Sequence, residues 1–457
     1  MKVIYFFSLL VVLTLLSVSQ GQAEERPSDM PYLDQNFSCI AQNEAQKFTA
    51  DFNIDVKSFG GLELCRNEVD TKKLFNDLNL IKNGQFTSTG KNNLIRNFVD
   101  SARYYDWMKS QTRGVERGND VPYATAYNSG GYFTMQDGWS KLSTLGRVGT
   151  VIHEARHTAG YRHISCKQGP YQGASIAGCD RDYNYGGSHA IEMEYYAHVS
   201  VQGTNFHPVY KKMARLMAIA RSNIFFNTPM LKTRSAVLTL SADHQASYLY
   251  DKGEWVKREL PLSSGGQLKR TSFGAVLFDG AKALSLEMYQ NSGFVDAVED
   301  VYSYFKLLAE TTVPVKDLEE FDSGVKRYVV QVTQDDRLSA FDFPNGQWGA
   351  AQKIPFRVVQ TSTAIPSLNK SGYFLISENG QIFSYQPETQ RLVSQAGQWD
   401  ASNIKVVNFE NQNLILRQDG KIYVQNNTSL QPWAAAQGVY SDLVTVPLYD
   451  AFEVIKE

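Results

Sequence analysis

The 457-residue sequence holds no block of five or six like charges, and 45 Lys and Arg against 47 Asp and Glu leave a formal net charge of only −2. Neither a nucleic-acid footprint nor a polybasic membrane anchor has a basis in such a chain. Beyond residue 16 no run is apolar enough for a stable membrane span, which needs about 20 such residues. Cysteine is scarce, with four residues, and histidine nearly so, with seven. Aromatic rings are plentiful at 12% of residues within 43% hydrophobic, which excludes wholesale disorder. At roughly 100–200 residues per domain, two or three domains are expected.

The one long apolar run, Val3 to Leu16, follows a single Lys and precedes small residues and an acidic start at Glu24. It reads as a secretory signal peptide over 1–23, with cleavage after Gly21 as a second choice. The expected location is therefore secreted: a periplasm, a cell surface or the extracellular space. In that setting the even count of cysteines implies two disulfides, and proximity along the chain favours Cys39–Cys65 and Cys166–Cys179.

The chain divides near residue 235. Six of the seven histidines, His153, His157, His163, His189, His198 and His207, precede the division and only His244 follows it. Residues 235–457 alternate short β-branched and aromatic runs with Asp/Asn-Gly turns, the pattern of many antiparallel strands. Runs beginning at Ala236, Ala275, Tyr328, Tyr373 and Leu414 share one plan of strand, polar turn and second strand, and four of them end on Trp255, Trp348, Trp399 and Trp433. Such a period predicts an all-β domain, a β-propeller of about five blades, with the tryptophans packing between blades. A β-sandwich is the second choice, because Phe294–Glu320 interrupts the repeat with a helix-like stretch.

Residues 24–234 read as α+β. Apolar spacing predicts helices over Lys91–Ser110, Lys141–Gly160 and Pro208–Phe226, and two extended runs around Ser129-Gly130-Gly131. Residues 24–92 are read as an N-terminal part of the fold tied down by Cys39–Cys65, with a removable pro-segment as the other possibility.

Within the second of these helices stands His153-Glu154-Ala155-Arg156-His157-Thr158-Ala159-Gly160-Tyr161-Arg162-His163. Residues at i and i+4 lie one above the other, so His153 and His157 can aim at one ion. Glu154 can reach a water held there without being a ligand. Gly160 can end the helix in the left-handed conformation and turn His163 toward the third corner.

These residues resemble the metzincin clan of zinc metallopeptidases, whose HExxHxxGxxH motif they match at His153, Glu154, His157, Gly160 and His163. The resemblance covers one helix and its exit. It implies a zincin-like catalytic domain, Zn2+ on His153, His157 and His163, and Glu154 as general base of peptide-bond hydrolysis by zinc-activated water. Met193 with Tyr195 fits the clan's Met-turn loosely in spacing, yet His189–His198 reads as a helix. The other zincin arrangement, with a third ligand from Glu192 or Glu194, ranks below His163. Tyr195, Tyr196 and His189 are candidates to stabilise an oxyanion, and 131–135 is a candidate edge strand for an extended substrate.

The function expected is thus a secreted zinc metalloendopeptidase acting on a protein or peptide, cell-wall peptide included. The alternative is a binding or adhesion protein whose propeller holds a protein or glycan partner while the zinc domain is structural or inactive.

Overall fold

A computed structural model describes residues 37–87, 95–121, 124–169, 171–174, 177–231, 233–260, 266–271, 274–278, 283–286, 294–296, 314–322, 327–342, 347–366, 368–426 and 429–449. The signal-peptide reading of 1–23 lies outside these residues.

The first half is built of helices around a small sheet. In chain order it comprises α1 (Gln42–Phe52), α2 (Asp70–Asn83), α3 (Tyr104–Gln111), β1 (Gly114–Arg117), β2 (Ala126–Ser129), β3 (Tyr132–Met135), α4 (Asp137–Ser140) and α5 (Thr144–Thr158). Then follow β4 (Asp180–Asp182), α6 (Ser188–Gln202), α7 (Pro208–Ile224) and β5 (Phe226–Thr228). α1 buries Ala45, Phe48 and Phe52, and α2 buries Leu74, Phe75, Leu78 and Ile81, each an apolar stripe at helical spacing. Both stripes join one core with Val148, Val151 and Ile152 of α5. The Cys39–Cys65 disulfide ties the approaches to α1 and α2, and the fully buried Arg147 of α5 grips Asp77 of α2 through two hydrogen bonds of 3.0 Å. Residues 37–83 are therefore integral to this half.

Two local readings of the sequence are corrected. Lys91–Ser110 is not one helix: Asn97 is left-handed at φ 54°, and α3 begins only at Tyr104 after a 3-10 turn at Ser101–Arg103. The bend lets the Phe98 N–H donate to Glu194 Oε2 at 2.8 Å and the Arg96 N–H donate to Tyr183 Oη at 2.7 Å, bonds a straight helix would forbid. Residues 131–135 do not form an edge strand either. β3 is the middle of the order β1-β3-β2, parallel to β1 and antiparallel to β2, and a bridge from Ile54 to Val115 covers β1.

The second half contains five antiparallel sheets in succession. β6 (Thr233–Ser241), β7 (Ala246–Asp251) and β8 (Glu254–Glu259) belong to the first sheet; β9 (Gln267–Thr271), β10 (Gly274–Phe278), β11 (Ala283–Leu286) and β12 (Phe294–Asp296) make the second. β13 (Val315–Asp322), β14 (Arg327–Thr333), β15 (Arg337–Asp342) and β16 (Gln347–Trp348) form the third, with β17 (Gln352–Lys353) also on β15. β18 (Val358–Ile365), β19 (Leu368–Ser377), β20 (Gln381–Gln386) and β21 (Arg391–Gln398) form the fourth; β22 (Asn403–Phe409), β23 (Gln412–Arg417), β24 (Ile422–Asn426) and β25 (Ser429–Pro432) form the fifth. The last strand, β26 (Tyr440–Tyr449), returns to pair with β6 and completes the first sheet as β26-β6-β7-β8. Both ends of Phe294–Glu320 that are described are strands, which corrects the helix-like reading there; 297–313 lie outside the described residues.

Apolar clusters join the first sheet to the second (Leu238, Leu277), the third to the fourth (Val330, Leu375), the fourth to the fifth (Ile376, Ile415) and the fifth back to the first (Leu416, Val237). Four of the five sequence repeats end on a Trp at the fourth strand or just past it. Trp399 and Trp433 are buried in the inter-sheet clusters and Trp255 packs against one of them, its indole N–H donating to the Ala435 carbonyl at 2.6 Å.

Candidate metal centre

α5 starts cleanly because Ser143 caps it, its hydroxyl accepting the Gly146 N–H, and it ends at Gly160, left-handed at φ 90°. The helix is followed by a turn that brings His163 back over the helix end. A backbone bridge then pairs Ile164 with Cys179 through hydrogen bonds of 2.8 and 3.0 Å, and the Cys166–Cys179 disulfide closes the same loop. That pairing sets His163 beside Asp180.

α6 supplies the other wall. Almost every side chain from Ser188 to Val199 is buried, polar ones included, so the helix is enclosed on all sides rather than amphipathic. It reaches α5 closely because residue 149 is glycine: a Cβ there would stand 1.8 Å from Tyr196 Oη and 2.9 Å from Glu192 Oε1.

Each motif histidine has its Nδ1 occupied by an oxygen. His153 Nδ1 faces Glu192 Oε2 at 3.2 Å, His157 Nδ1 faces the Tyr161 carbonyl at 2.5 Å with Ser188 Oγ at 3.1 Å, and His163 Nδ1 faces Asp180 Oδ1 at 3.3 Å. Carbonyls and carboxylates only accept, so in the neutral rings the proton is on Nδ1 and the Nε2 lone pair is free. Nδ1 held by a carboxylate or carbonyl is the arrangement that orients metal-binding imidazoles. The Nε2 atoms of His153 and His163 are 2.9 Å apart, and the His157 and His163 ring centroids are 4.6 Å apart.

His189, at the start of α6, is a fourth member. Its ring stacks on His163 with centroids 4.7 Å apart and on Phe225 at 4.2 Å. Its Nε2 faces the Gly178 carbonyl at 3.0 Å, while the buried Nδ1, 3.4 Å from Glu192 Oε2, is not aligned for a hydrogen bond and has none. The donor atoms form two overlapping groups, each within 4.8 Å: His153 with Glu154 and His157, and His153 with His163 and His189. The three ligands expected from the motif are thus divided between two groups that share His153.

Burial dominates the electrostatics. It pushes His153 well below the usual imidazole range and His157 down to about 4, with neighbouring histidines adding to the effect, so these two rings are neutral near pH 7. Burial, then the Glu192 charge, pushes Glu154 up to about 8; its Oε2 is buried without a hydrogen-bond partner. Burial would also raise Glu192, but Arg221 and His153 outweigh it and hold that carboxyl well below the ordinary value. Arg221 Nε donates to Glu192 Oε1 at 2.8 Å and the Tyr196 hydroxyl donates to the same oxygen at 3.0 Å.

Other sequence candidates take different places. Met193 is fully buried in the middle of α6, so no tight turn surrounds it. Glu192 meets His153 at Nδ1, the nitrogen away from the converging Nε2 atoms, and Glu194 accepts from Tyr183 and Phe98. Tyr195 packs on Tyr104, and Tyr196 is committed to Glu192. Asp180 and Arg221 gave no sequence signal, since only the folded chain brings them to the histidines.

The donor set suits a borderline cation such as Zn2+: imidazoles with Nδ1 anchored, and a buried Glu154 oxygen without a hydrogen-bond partner among the described residues.

No family model matches the chain, and no curated protein matches it. Among solved structures, apo AztD from Citrobacter koseri aligns at 13% identity over 47% of this chain and 60% of its own, with a TM-score of 0.23. A BBS1N–ARL6DN complex soaked with mercury aligns at 9% over 43% of this chain and 60% of that one, TM-score 0.24. The N-terminal domain of Nup159 aligns at 10% over 37% and 43%, TM-score 0.20. The chain is similar to these folds only at a level that supports no inference of function.

Proposed function

We propose that this chain is a secreted zinc-dependent metalloendopeptidase in which His153, His157 and His163 hold the metal and Glu154 is the general base. The observation that carries the reading is the common orientation of the three histidines, each Nδ1 anchored on an oxygen, with the unpartnered buried Glu154 Oε2 grouped with His153 and His157. Zinc, when bound, supplies Lewis-acid polarisation of a carbonyl and lowers the pKa of water toward about 7. The protein's own part is positional. Glu192 and Asp180 hold the rings of His153 and His163, and Glu154, whose carboxyl a bound cation would ionise, takes a proton from the attacking water and delivers it to the leaving amine. β2 is the edge strand beside α5, where the Asn128 side-chain amide donates to the Glu154 carbonyl and to Thr158 Oγ1 at 2.8 Å. An extended peptide added to that edge would lie along the histidine helix.

Two structural readings accompany this one. Five antiparallel sheets in succession, with β26 returning to β6, support reading this half as a five-bladed β-propeller, a surface suited to a protein or glycan partner. The two disulfides fit an oxidising, extracytoplasmic location, and among the described residues no helix is long and apolar enough to cross a membrane.

The test is Glu154→Gln. Hydrolysis of a denatured protein substrate should disappear while metal content is unchanged; a variant that still hydrolyses it would remove the peptidase mechanism.

A further inference from the structure

His189 stands at the metal centre without belonging to the HExxHxxGxxH motif, and its surroundings narrow what it can do. The residue is 6% exposed and its ring is held on both faces, stacked on Phe225 at 4.2 Å and on His163 at 4.7 Å between centroids. The His153 ring meets it at 4.5 Å, tilted by 66°. The backbone is fixed as well, since the His189 and Ala190 N–H groups donate to Asp180 Oδ2 at 3.0 and 3.3 Å.

Both ring nitrogens face acceptors. Nε2 is 3.0 Å from the Gly178 carbonyl, and Nδ1 is 3.4 Å from Glu192 Oε2. A neutral imidazole has one proton to place between them. The shorter, aligned contact with Gly178 takes it. The Nδ1 lone pair is then set against a carboxylate already engaged by His153, Arg221 and Tyr196. The same commitment removes the role of oxyanion donor, because no N–H remains to offer. A cation at Nδ1 resolves the contact, and other ligands for it are at hand. Donor atoms of His153, His163 and His189 all lie within 4.8 Å of one another. Ligand atoms on one tetrahedral zinc stand about 3.4 Å apart, given Zn–N bonds of ~2.0–2.1 Å, so the spacing of this group suits a single ion.

We propose that His189 is a further ligand of the zinc, through Nδ1, beside His153 and His163. This role rests on the zinc reading above and adds one imidazole to it. Catalytic zinc can expand to five ligands, so a fourth imidazole does not exclude the attacking water.

X-ray absorption at the zinc edge, on the reconstituted full chain, counts the imidazoles. Four are expected in the parent and in Glu192→Gln. Three are expected in His189→Phe, whose ring keeps the stack on Phe225 and His163. Zinc affinity of His189→Phe, read by competition with a chelator, should fall about 100-fold or more, beyond the 10- to 100-fold typical of losing an outer partner. The absorption bands of the Co2+-loaded protein should change in energy and intensity in His189→Phe and stay close to the parent's in Glu192→Gln. If His189→Phe does not fold by circular dichroism, the parent's imidazole count decides alone. Three imidazoles in the parent, or a folded His189→Phe with the parent's affinity and cobalt spectrum, would overturn this assignment and leave the three-histidine reading standing. A parent that takes up no zinc removes both.

Discussion

His153 and His163 approach to 2.9 Å between Nε2 atoms, one from the middle of a helix and the other from the turn beyond its end. With each Nδ1 proton directed at a carboxylate, two lone pairs face one another across that distance. Such a contact is repulsive unless a cation or a shared proton lies between them, and burial disfavours the proton. In the proposed reading a metal takes that place, and what positions the rings can be tested piece by piece.

Gly149 is the contact point of α5 with α6. Gly149→Ala would drive a methyl into Tyr196 and Glu192, side chains locked by Arg221 and His153. A loss of about 1–3 kcal/mol in unfolding free energy is expected from overpacking. Metal affinity should fall with it, because Glu192 is displaced. Alanine raises helix propensity, so an unchanged or higher stability would show that the two helices are not this close.

The Glu192 carboxylate acts through His153 and is a positioning residue. Glu192→Gln keeps the size and the contact but removes the charge. Zinc affinity should drop about 10- to 100-fold, the usual effect of losing such a partner, with one zinc still bound at saturation. A competition titration against a chelator reads this directly. Complete loss of zinc would instead identify Glu192 as a ligand.

The Cys166–Cys179 disulfide holds the backbone bridge that places His163 against Asp180. Replacing both cysteines with serine should cost about 3 kcal/mol through the freed loop. Metal affinity should fall more than in the equivalent Cys39 and Cys65 double variant, whose disulfide lies at the far helices. Equal effects on metal would mean that the staple serves stability alone.

In the five-sheet half, burial would raise the Asp317 carboxyl, but Lys269 and its hydrogen bonds hold it at about 2. A carboxyl with a lower pKa folded than unfolded stabilises the fold above its unfolded value, near 4, and loses that contribution as pH falls toward 2. The stake is about 2 kcal/mol. Denaturant unfolding at stepped pH should therefore show a fall in stability between pH 4 and 2 that is shallower in Asp317→Asn. That variant should also be weaker at pH 7, since it leaves the buried Lys269 ammonium with only the more distant Glu319, at 3.6 Å, as its acidic partner. Parallel pH profiles would refute the pairing.

The sequence shows the five repeats because the strand that opens each repeat, such as β14 or β19, is buried on both faces and reads as a continuous apolar run. The repeats nevertheless began one strand late. The cavity-lining strands β9, β13, β18, β22 and β26 carry Lys269, Asp317, Thr361, Lys405 and Asp442, and polar residues facing a shared cavity disguise a strand that is buried. At the histidine site the motif was legible because α5 and its exit are continuous in sequence. Asp180, Arg221 and the approach of His189 were not, since they depend on how α6 and α7 pack. The edge position of β2 was hidden for a similar reason: three short strands give no local sign of which is central.

Metal content tests the central claim most directly. Elemental analysis of the purified mature protein after zinc reconstitution should give one zinc per chain, retained in Glu154→Gln and lost in His153→Ala and His163→Ala. A wild-type protein that takes up no zinc, or histidine variants that both keep the wild-type zinc content, would contradict the assignment of this site.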